Sequence, residues 1–408
     1  MAASLAEPQP FTVSVPDADL ALLRQKLDLT RFPDELDDAA WTYGVPLANV
    51  KRLVARWKHG YDWRAAEASI NEIPQFTRDV EVEGFGTLNV HYVHQKSEVK
   101  NAIPLLFSHG WPGHFLEVQK LLPLLTSASP DHPGFHVVAP SLPNFGFSEG
   151  VKKQGFAIVQ YAETCHKLML ALGYSEYVVQ GGDWGSQVIR TMAANYGVKA
   201  VKAWHTNDTS SIGPPSFSRF PRLWLQHLLT PYTEAERARI KRNELFMQKG
   251  RGYSTEQGTQ PQTLGYSLAD SPAGLLAWMY EKLVLWSDDY PWEDDEVLTW
   301  ISIYWFSRAG PAASARIYYE QAKVVENPNH SAPWCAVPGG ISFFPKELLR
   351  PPKTWARTMG NIVLEVEHGS GGHFAAYEKP HELAADLRAL FGKGGPAFGV
   401  VPGKVGYD

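Results

Sequence analysis

Val178-Val179-Gln180-Gly181-Gly182-Asp183-Trp184-Gly185-Ser186 decides the fold. A short apolar run of strand character enters a turn of two glycines, an aspartate, a bulky residue and a further glycine. Residues 186–195 then read as a helix. A strand, a small-x-acid-x-small turn and a helix make a nucleophile elbow, which holds its apex residue in a strained backbone conformation at the end of a strand. Gly181 and Gly185 stand where side chains would collide across the turn. The apex is Asp rather than Ser. A carboxylate is ionised at neutral pH and attacks without a base, which suits displacement at an sp3 carbon, as in an epoxide or an alkyl halide; water must then cleave the ester. Taken alone, the turn also fits an aspartate that only caps a helix.

The same rhythm surrounds this stretch. Leu105-Leu106-Phe107 runs into Ser108-His109-Gly110-Trp111-Pro112-Gly113, and Val137-Val138-Ala139 into Pro140-Ser141-Leu142-Pro143-Asn144. Helical stretches such as 162–172 lie between, so an α/β fold is expected, with a mostly parallel sheet flanked by helices and sites at the carboxyl ends of its strands. The rhythm breaks over 205–325, which reads as helical: Ser271-Pro272 starts a helix whose apolar face carries Leu275, Leu276, Met279, Leu283 and Trp286. Strands resume near 335 and at Ile362-Val363-Leu364-Glu365-Val366, and a last helix buries Leu383, Leu387, Leu390 and Phe391. The expected organisation is an N-terminal wrapping segment of short helices over 1–80, a core over 81–204 and 326–408, and a helical lid over 205–325.

A nucleophile at Asp183 needs partners. The backbone N–H of Trp111, in the turn after a strand, is expected to pair with that of Trp184 as an oxyanion hole, each donor worth roughly 2.7–4 kcal/mol. An ordinary strand-to-helix turn with a structural proline would look the same. Chain order in such sites runs nucleophile, acid, histidine. His373, in Gly369-Ser370-Gly371-Gly372-His373-Phe374, follows the last strand and fits the base; most of the 14 histidines have no such context. Glu347 fits the acid that orients it, with Glu365 and Glu367 as competitors.

Together these residues resemble the microsomal-type epoxide hydrolases, soluble fungal members included. The resemblance runs nearly end to end. It is carried by His59-Gly60-Tyr61-Asp62-Trp63-Arg64, Ile73-Pro74-Gln75-Phe76, His109-Gly110-Trp111-Pro112, Gly182-Asp183-Trp184-Gly185, Phe344-Pro345-Lys346-Glu347 and Gly371-Gly372-His373-Phe374-Ala375-Ala376. It implies an α/β-hydrolase fold, with Asp183 as nucleophile, His373 as base and Glu347 as the acid. It also implies two lid tyrosines that hydrogen-bond the epoxide oxygen: Tyr253, and Tyr318 with Tyr319 as the neighbouring alternative. A phenol donates a hydrogen bond yet stays protonated at pH 7. Trp111, Trp184, Tyr253, Tyr318 and Phe374 are expected to line the substrate. The proline of the His-Gly-Trp-Pro turn is often cis in this fold, against about 5–6% of X-Pro bonds in general, which singles out Pro112. Some members carry an N-terminal anchor; none is visible here.

The implied reaction converts an epoxide and water to a vicinal diol through an aspartyl ester, with no cofactor or metal. The nearest rival, a haloalkane or haloacid dehalogenase, would need halide-binding groups where the tyrosines sit. A biosynthetic enzyme opening an epoxide with an internal nucleophile is a second rival. A silent binding protein on the same fold would be expected to lack Asp183 or His373. His381-Glu382-Leu383-Ala384-Ala385 lacks the second histidine of a zinc motif.

Bulk properties narrow the classes further. At 408 residues, 44% hydrophobic and 20% charged, the chain reads as a globular core with additions. A net charge of −5 argues against nucleic acid or an anionic membrane as partner. Cys165 and Cys335 form no disulfide framework and are read as buried thiols. No secretory signal or membrane span is visible, so Asn207-Asp208-Thr209 and Asn329-His330-Ser331 are chance glycosylation matches and the cytoplasm is the expected location. A homodimer is an open alternative to a monomer. The substrate and any division between detoxification and biosynthesis stay open.

Overall fold

A computed structural model of the chain describes residues 7–210, 212–326 and 334–408. Its strands are β1 (Gln9–Pro10), β2 (Gln75–Val82), β3 (Gly86–Gln95), β4 (Ile103–Ser108), β5 (Phe135–Pro140), β6 (Tyr177–Gly181), β7 (Val201–Thr206), β8 (Cys335–Phe343) and β9 (Gly360–Glu367). Among the described residues they form one sheet in the order β1-β2-β3-β5-β4-β6-β7-β8-β9. From β5 to β9 every pairing is parallel, whereas β1, β2 and β3 join antiparallel at one edge. This is the mixed, mostly parallel sheet of the α/β-hydrolase fold.

The central strands are buried throughout, β4 and β6 in every residue, as a sheet covered on both faces requires. Alternation sends neighbouring side chains to opposite cores. Leu106, Val138 and Val179 enter one apolar cluster, and Leu105, Val137 and Val178 the other.

The helices are α1 (Asp17–Asp28), α2 (Leu47–His59), α3 (Trp63–Ile70), α4 (Leu122–Thr126), α5 (Ile158–Ala171) and α6 (Asp183–Tyr196). Between β7 and β8 follow α7 (Pro221–Leu229), α8 (Glu234–Lys249), α9 (Gly252–Thr259), α10 (Pro261–Asp270), α11 (Pro272–Trp286), α12 (Asp294–Trp305) and α13 (Arg316–Val325). The chain ends with α14 (Lys353–Ala356), α15 (Ala375–Glu378) and α16 (Pro380–Phe391). None of the described helices is long and apolar enough to cross a membrane.

The stretch before residue 80 is not helical throughout. Phe76, Val80 and Val82 are spaced by even numbers, and β2 pairs along its whole length with β3. The period-2 signal lay in a charged stretch, Thr77-Arg78-Asp79, which hid it.

The insertion between β7 and β8 has two parts. Helices α7 and α8 bury none of their residues. Helix α11 instead buries Leu275, Leu276, Met279, Leu283 and Trp286, and α12 buries Val297, Leu298, Trp300, Ile301 and Tyr304. Helix α2 packs on this pair with Val50, Leu53, Val54 and Trp57. Its other face reaches the start of α12, where Arg56 makes a two-pronged bond to Asp295 at 2.7 Å and Arg52 pairs with Asp294. Exposed pairs of this kind contribute at most about 1 kcal/mol each; they fix the register of the helices rather than the stability.

Candidate active site

The site begins at the junction of β6 and α6. Asp183 has φ +50°, a left-handed conformation that costs a non-glycine residue roughly 1–2 kcal/mol. Its neighbours leave room for it. A Cβ on Gly110 would stand 2.1 Å from Asp183 Oδ1, and one on Gly185 would stand 2.0 Å from the Ser108 carbonyl oxygen. Gly181 faces Gly185 itself, at 2.7 Å from such a Cβ to the Gly185 carbonyl carbon. The elbow glycines are therefore required both across their own turn and against the end of β4.

Trp111 N–H donates to Asp183 Oδ1 at 2.7 Å. The Trp111–Pro112 bond is cis. Helix α12 pins this turn from above: Trp300 Nε1 donates to the Pro112 carbonyl at 2.7 Å, and the Tyr304 hydroxyl to the Gly113 carbonyl at 2.5 Å. The Trp184 N–H lies in the first turn of α6, where backbone donors have no acceptor within the helix.

His373 Nε2 lies 3.5 Å from Asp183 Oδ2, and Nδ1 lies 2.7 Å from Glu347 Oε1. The competing carboxylates face other partners. Glu365 is gripped by Arg357 at 2.8 and 2.9 Å, and Glu367 pairs with Arg350 and Lys353. Burial works against a charged His373, yet the Glu347 and Asp183 carboxylates outweigh it and hold the imidazole well above its ordinary range. Glu347 Oε1 also accepts from Leu348 N–H at 2.7 Å. The turn that carries it is shaped by Arg242, which donates to the carbonyls of Pro345 and Glu347.

Tyr253 stands in the first turn of α9 and Tyr318 in the first turn of α13, with ring centroids 5.9 Å apart. The Tyr253 ring stacks on Trp111 at 5.3 Å, and Tyr318 meets Trp184 edge-on at 4.8 Å. Burial, and then the charge of Asp183 for Tyr253, drives both phenols above their ordinary range, so both are protonated. Tyr319 points elsewhere, under the Lys323 ammonium. Phe374 lies behind the His373 ring: its aromatic neighbours among the described residues are His373, Trp286, Trp292 and Trp300. A cleft of about 730 Å3 reaches Tyr253, Trp286 and Glu347 from the side of Lys282 and Arg242.

Several residues of this centre carried no signal of their own in the sequence. Arg242 lies in a helix with no apolar stripe, and Trp300 and Tyr304 stand in no motif. Trp286 was legible only as one position of an apolar face. The cysteines are both buried and free. Asn207 is buried and accepts from Gln180 at 3.0 Å, while Asn329 lies outside the described residues.

Comparison with known proteins agrees with this architecture. Residues 8–118 match the family model described as the epoxide hydrolase N terminus, and residues 103–265 that of the α/β-hydrolase fold. A curated relative from Stigmatella aurantiaca is 39% identical over 94% of this chain and 84% of its own length. Epoxide hydrolase 1 of Sus scrofa is 34% identical over 94% of this chain and 88% of that protein. The solved structure of Aspergillus niger epoxide hydrolase superposes with a TM-score of 0.81 at 34% identity, covering 94% of this chain and 96% of that one. Similarity of this extent, from the N-terminal region to the end of the sheet, shows that the chain belongs to the microsomal-type epoxide hydrolase family.

Proposed function

We propose that this epoxide hydrolase opens its substrate by attack of Asp183 and releases a vicinal diol by hydrolysis of the resulting ester. In the first half-reaction Asp183 Oδ2 bonds to an epoxide carbon and the C–O bond of the ring breaks. Tyr253 and Tyr318 donate hydrogen bonds to the departing oxygen, and one of the two phenols gives it a proton, leaving a hydroxyl on the ester and a tyrosinate in the lid. Asp183 Oδ1 stays at the Trp111 N–H and becomes the ester carbonyl oxygen. In the second half-reaction His373 takes a proton from water as the water oxygen attacks the ester carbon. The Trp111 and Trp184 N–H groups hold the oxyanion. Collapse expels the diol, whose alkoxide takes the proton back from His373; Asp183 is left as a carboxylic acid, and the loss of its proton to the tyrosinate restores both the carboxylate and the phenol. Glu347 keeps His373 in the tautomer with Nε2 free and stabilises the imidazolium.

The observation that carries this reading is the division of labour on one carboxylate. One Asp183 oxygen is held by a backbone donor and the other faces the histidine, beneath two protonated phenols. The phenols also weigh against a dehalogenase, whose leaving halide needs no proton. The substrate is thus an epoxide of apolar character, given the aromatic walls, and water is the second reactant. On the same reading residues 1–80, apart from β1 and the start of β2, wrap a core of 81–204 and 326–408, and 205–325, beyond the end of β7, cover the site. Diol formation from a panel of aryl and alkyl epoxides tests the proposal. Wild type should yield diol and Asp183→Ala none; halide release from alkyl halides without diol from any epoxide would contradict it.

A further inference from the structure

The loop that carries His373 contains Gly369, Gly371 and Gly372, so few side chains are available to hold it. Fixing each residue costs roughly 1–2 kcal/mol of backbone entropy, most for glycine. Its order comes instead from its amides. Gly371 N–H donates to Asp288 Oδ2 at 2.8 Å, Gly372 N–H to Glu378 Oε2 at 3.2 Å, His373 N–H to the Trp286 carbonyl at 2.8 Å, and Phe374 N–H to Glu378 Oε1 at 3.0 Å. Four consecutive amides are thus engaged. Glu378 Oε2 accepts a further N–H, that of Asp288, at 2.8 Å.

One carboxylate therefore grips the amides on both sides of His373 and ties them to the turn after α11. The fit is close. A Cβ on Gly372 would stand 2.4 Å from the Trp286 carbonyl oxygen and 2.9 Å from Glu378 Oε1. Only a carboxylate presents two acceptors to three donors here; a carboxamide would turn a donor toward one of them. Burial pushes the Glu378 carboxyl up to about 7, while the Asp288 and Phe374 amides and the charge of His373 pull it down.

We propose that Glu378 is a positioning residue for the second half-reaction: it holds the His373 loop against the 286–288 turn, so that Nε2 stays in reach of the water that attacks the ester. The inference rests on the roles given to Asp183 and His373 above. It separates the two chemical steps, because Asp183, Trp111, Tyr253 and Tyr318 lie on other elements. Alkylation of Asp183 does not need the loop; hydrolysis does.

The test uses the full chain at pH 8.5, with styrene oxide as probe and three variants: Glu378→Gln, Glu378→Asp and His373→Gln. Intact mass and peptide mapping report the ester on Asp183, and single-turnover kinetics report each step. Glu378→Gln should form the ester within about twofold of the wild-type rate and hydrolyse it at least about tenfold more slowly, so that the adduct accumulates. Glu378→Asp should recover part of the hydrolysis rate. Wild-type hydrolysis in Glu378→Gln, or an equal slowing of both steps, overturns the inference. If Glu378→Gln does not fold, Asp288→Asn weakens the neighbouring anchor and should give the same accumulation; its absence overturns the inference as well. An adduct in His373→Gln but not in the Glu378 variant refutes the positioning role alone. No adduct in His373→Gln removes the catalytic reading, and the inference with it.

Discussion

His373 sits between two carboxylates that raise its pKa, although a general base must be neutral to act. In the proposed mechanism the first half-reaction resolves this. Esterification removes the charge of Asp183, and with it one of the groups that favour the imidazolium. The base is released at the step that uses it. A histidine loses its neutral form as pH falls through its pKa, so ester hydrolysis should fall on the acid side. In Glu347→Gln the strongest carboxylate influence on His373 is removed as well, and this acid limb should move to lower pH while the hydrolysis rate drops by about 10²-fold or more. Stopped-flow hydrolysis rates against pH check both; an unmoved limb would remove Glu347 from the pair. Tyr253→Phe and Tyr318→Phe should each slow alkylation by about 10²-fold and leave hydrolysis of a preformed ester nearly unchanged, measured by single-turnover fluorescence. Asp183 and His373 were legible because glycines mark the turns that carry them. Glu347 is singled out with the help of the resemblance; position alone leaves Glu365 and Glu367 as competitors, since a carboxylate's role depends on which cation folding brings to it. Tyr318 and Tyr319 differ only by a rotation of about 100° on a helix, which adjacent positions in a sequence do not reveal.

At the scale of elements, α12 holds the turn after β4 with two side chains one helical turn apart. Trp300 and Tyr304 share a face, and each satisfies a carbonyl of the Pro112-Gly113 turn. Tyr304→Phe removes one donor and leaves a buried carbonyl unpaired, which should lower stability by about 1–3 kcal/mol in urea unfolding. A loss below a few tenths would mean that water replaces the hydroxyl. The α11 face was legible from its spacing, whereas the service of α12 was not: an indole or phenol that holds a carbonyl has the same sequence signature as one that only fills a core. The charged stretch inside β2 hid that strand for a similar reason, because an antiparallel strand beside the edge of a sheet tolerates polar residues on its open face.

Across the whole molecule, the insertion after β7 divides into an outer part without buried residues and an inner part embedded beneath the N-terminal segment. Amides of α7 and α8 should therefore exchange hydrogen about 10²-fold or more faster than those of α11 and α12, as measured by mass spectrometry. Equal protection would mean that the outer helices are covered in solution. The fold class was legible from the repeated strand-turn motifs, and the family from motifs spread over nearly the entire chain. The split within the insertion was not, since amphipathic helices announce a buried face without saying what buries it. The account as a whole turns on a covalent bond to Asp183, and a single turnover in 18O-labelled water tests it most directly. With enzyme in excess over epoxide, the first diol should carry unlabelled oxygen drawn from Asp183, and the label should appear in the Asp183 carboxylate. A labelled first diol with an unlabelled Asp183 would mean that water attacks the epoxide directly, and would contradict the account.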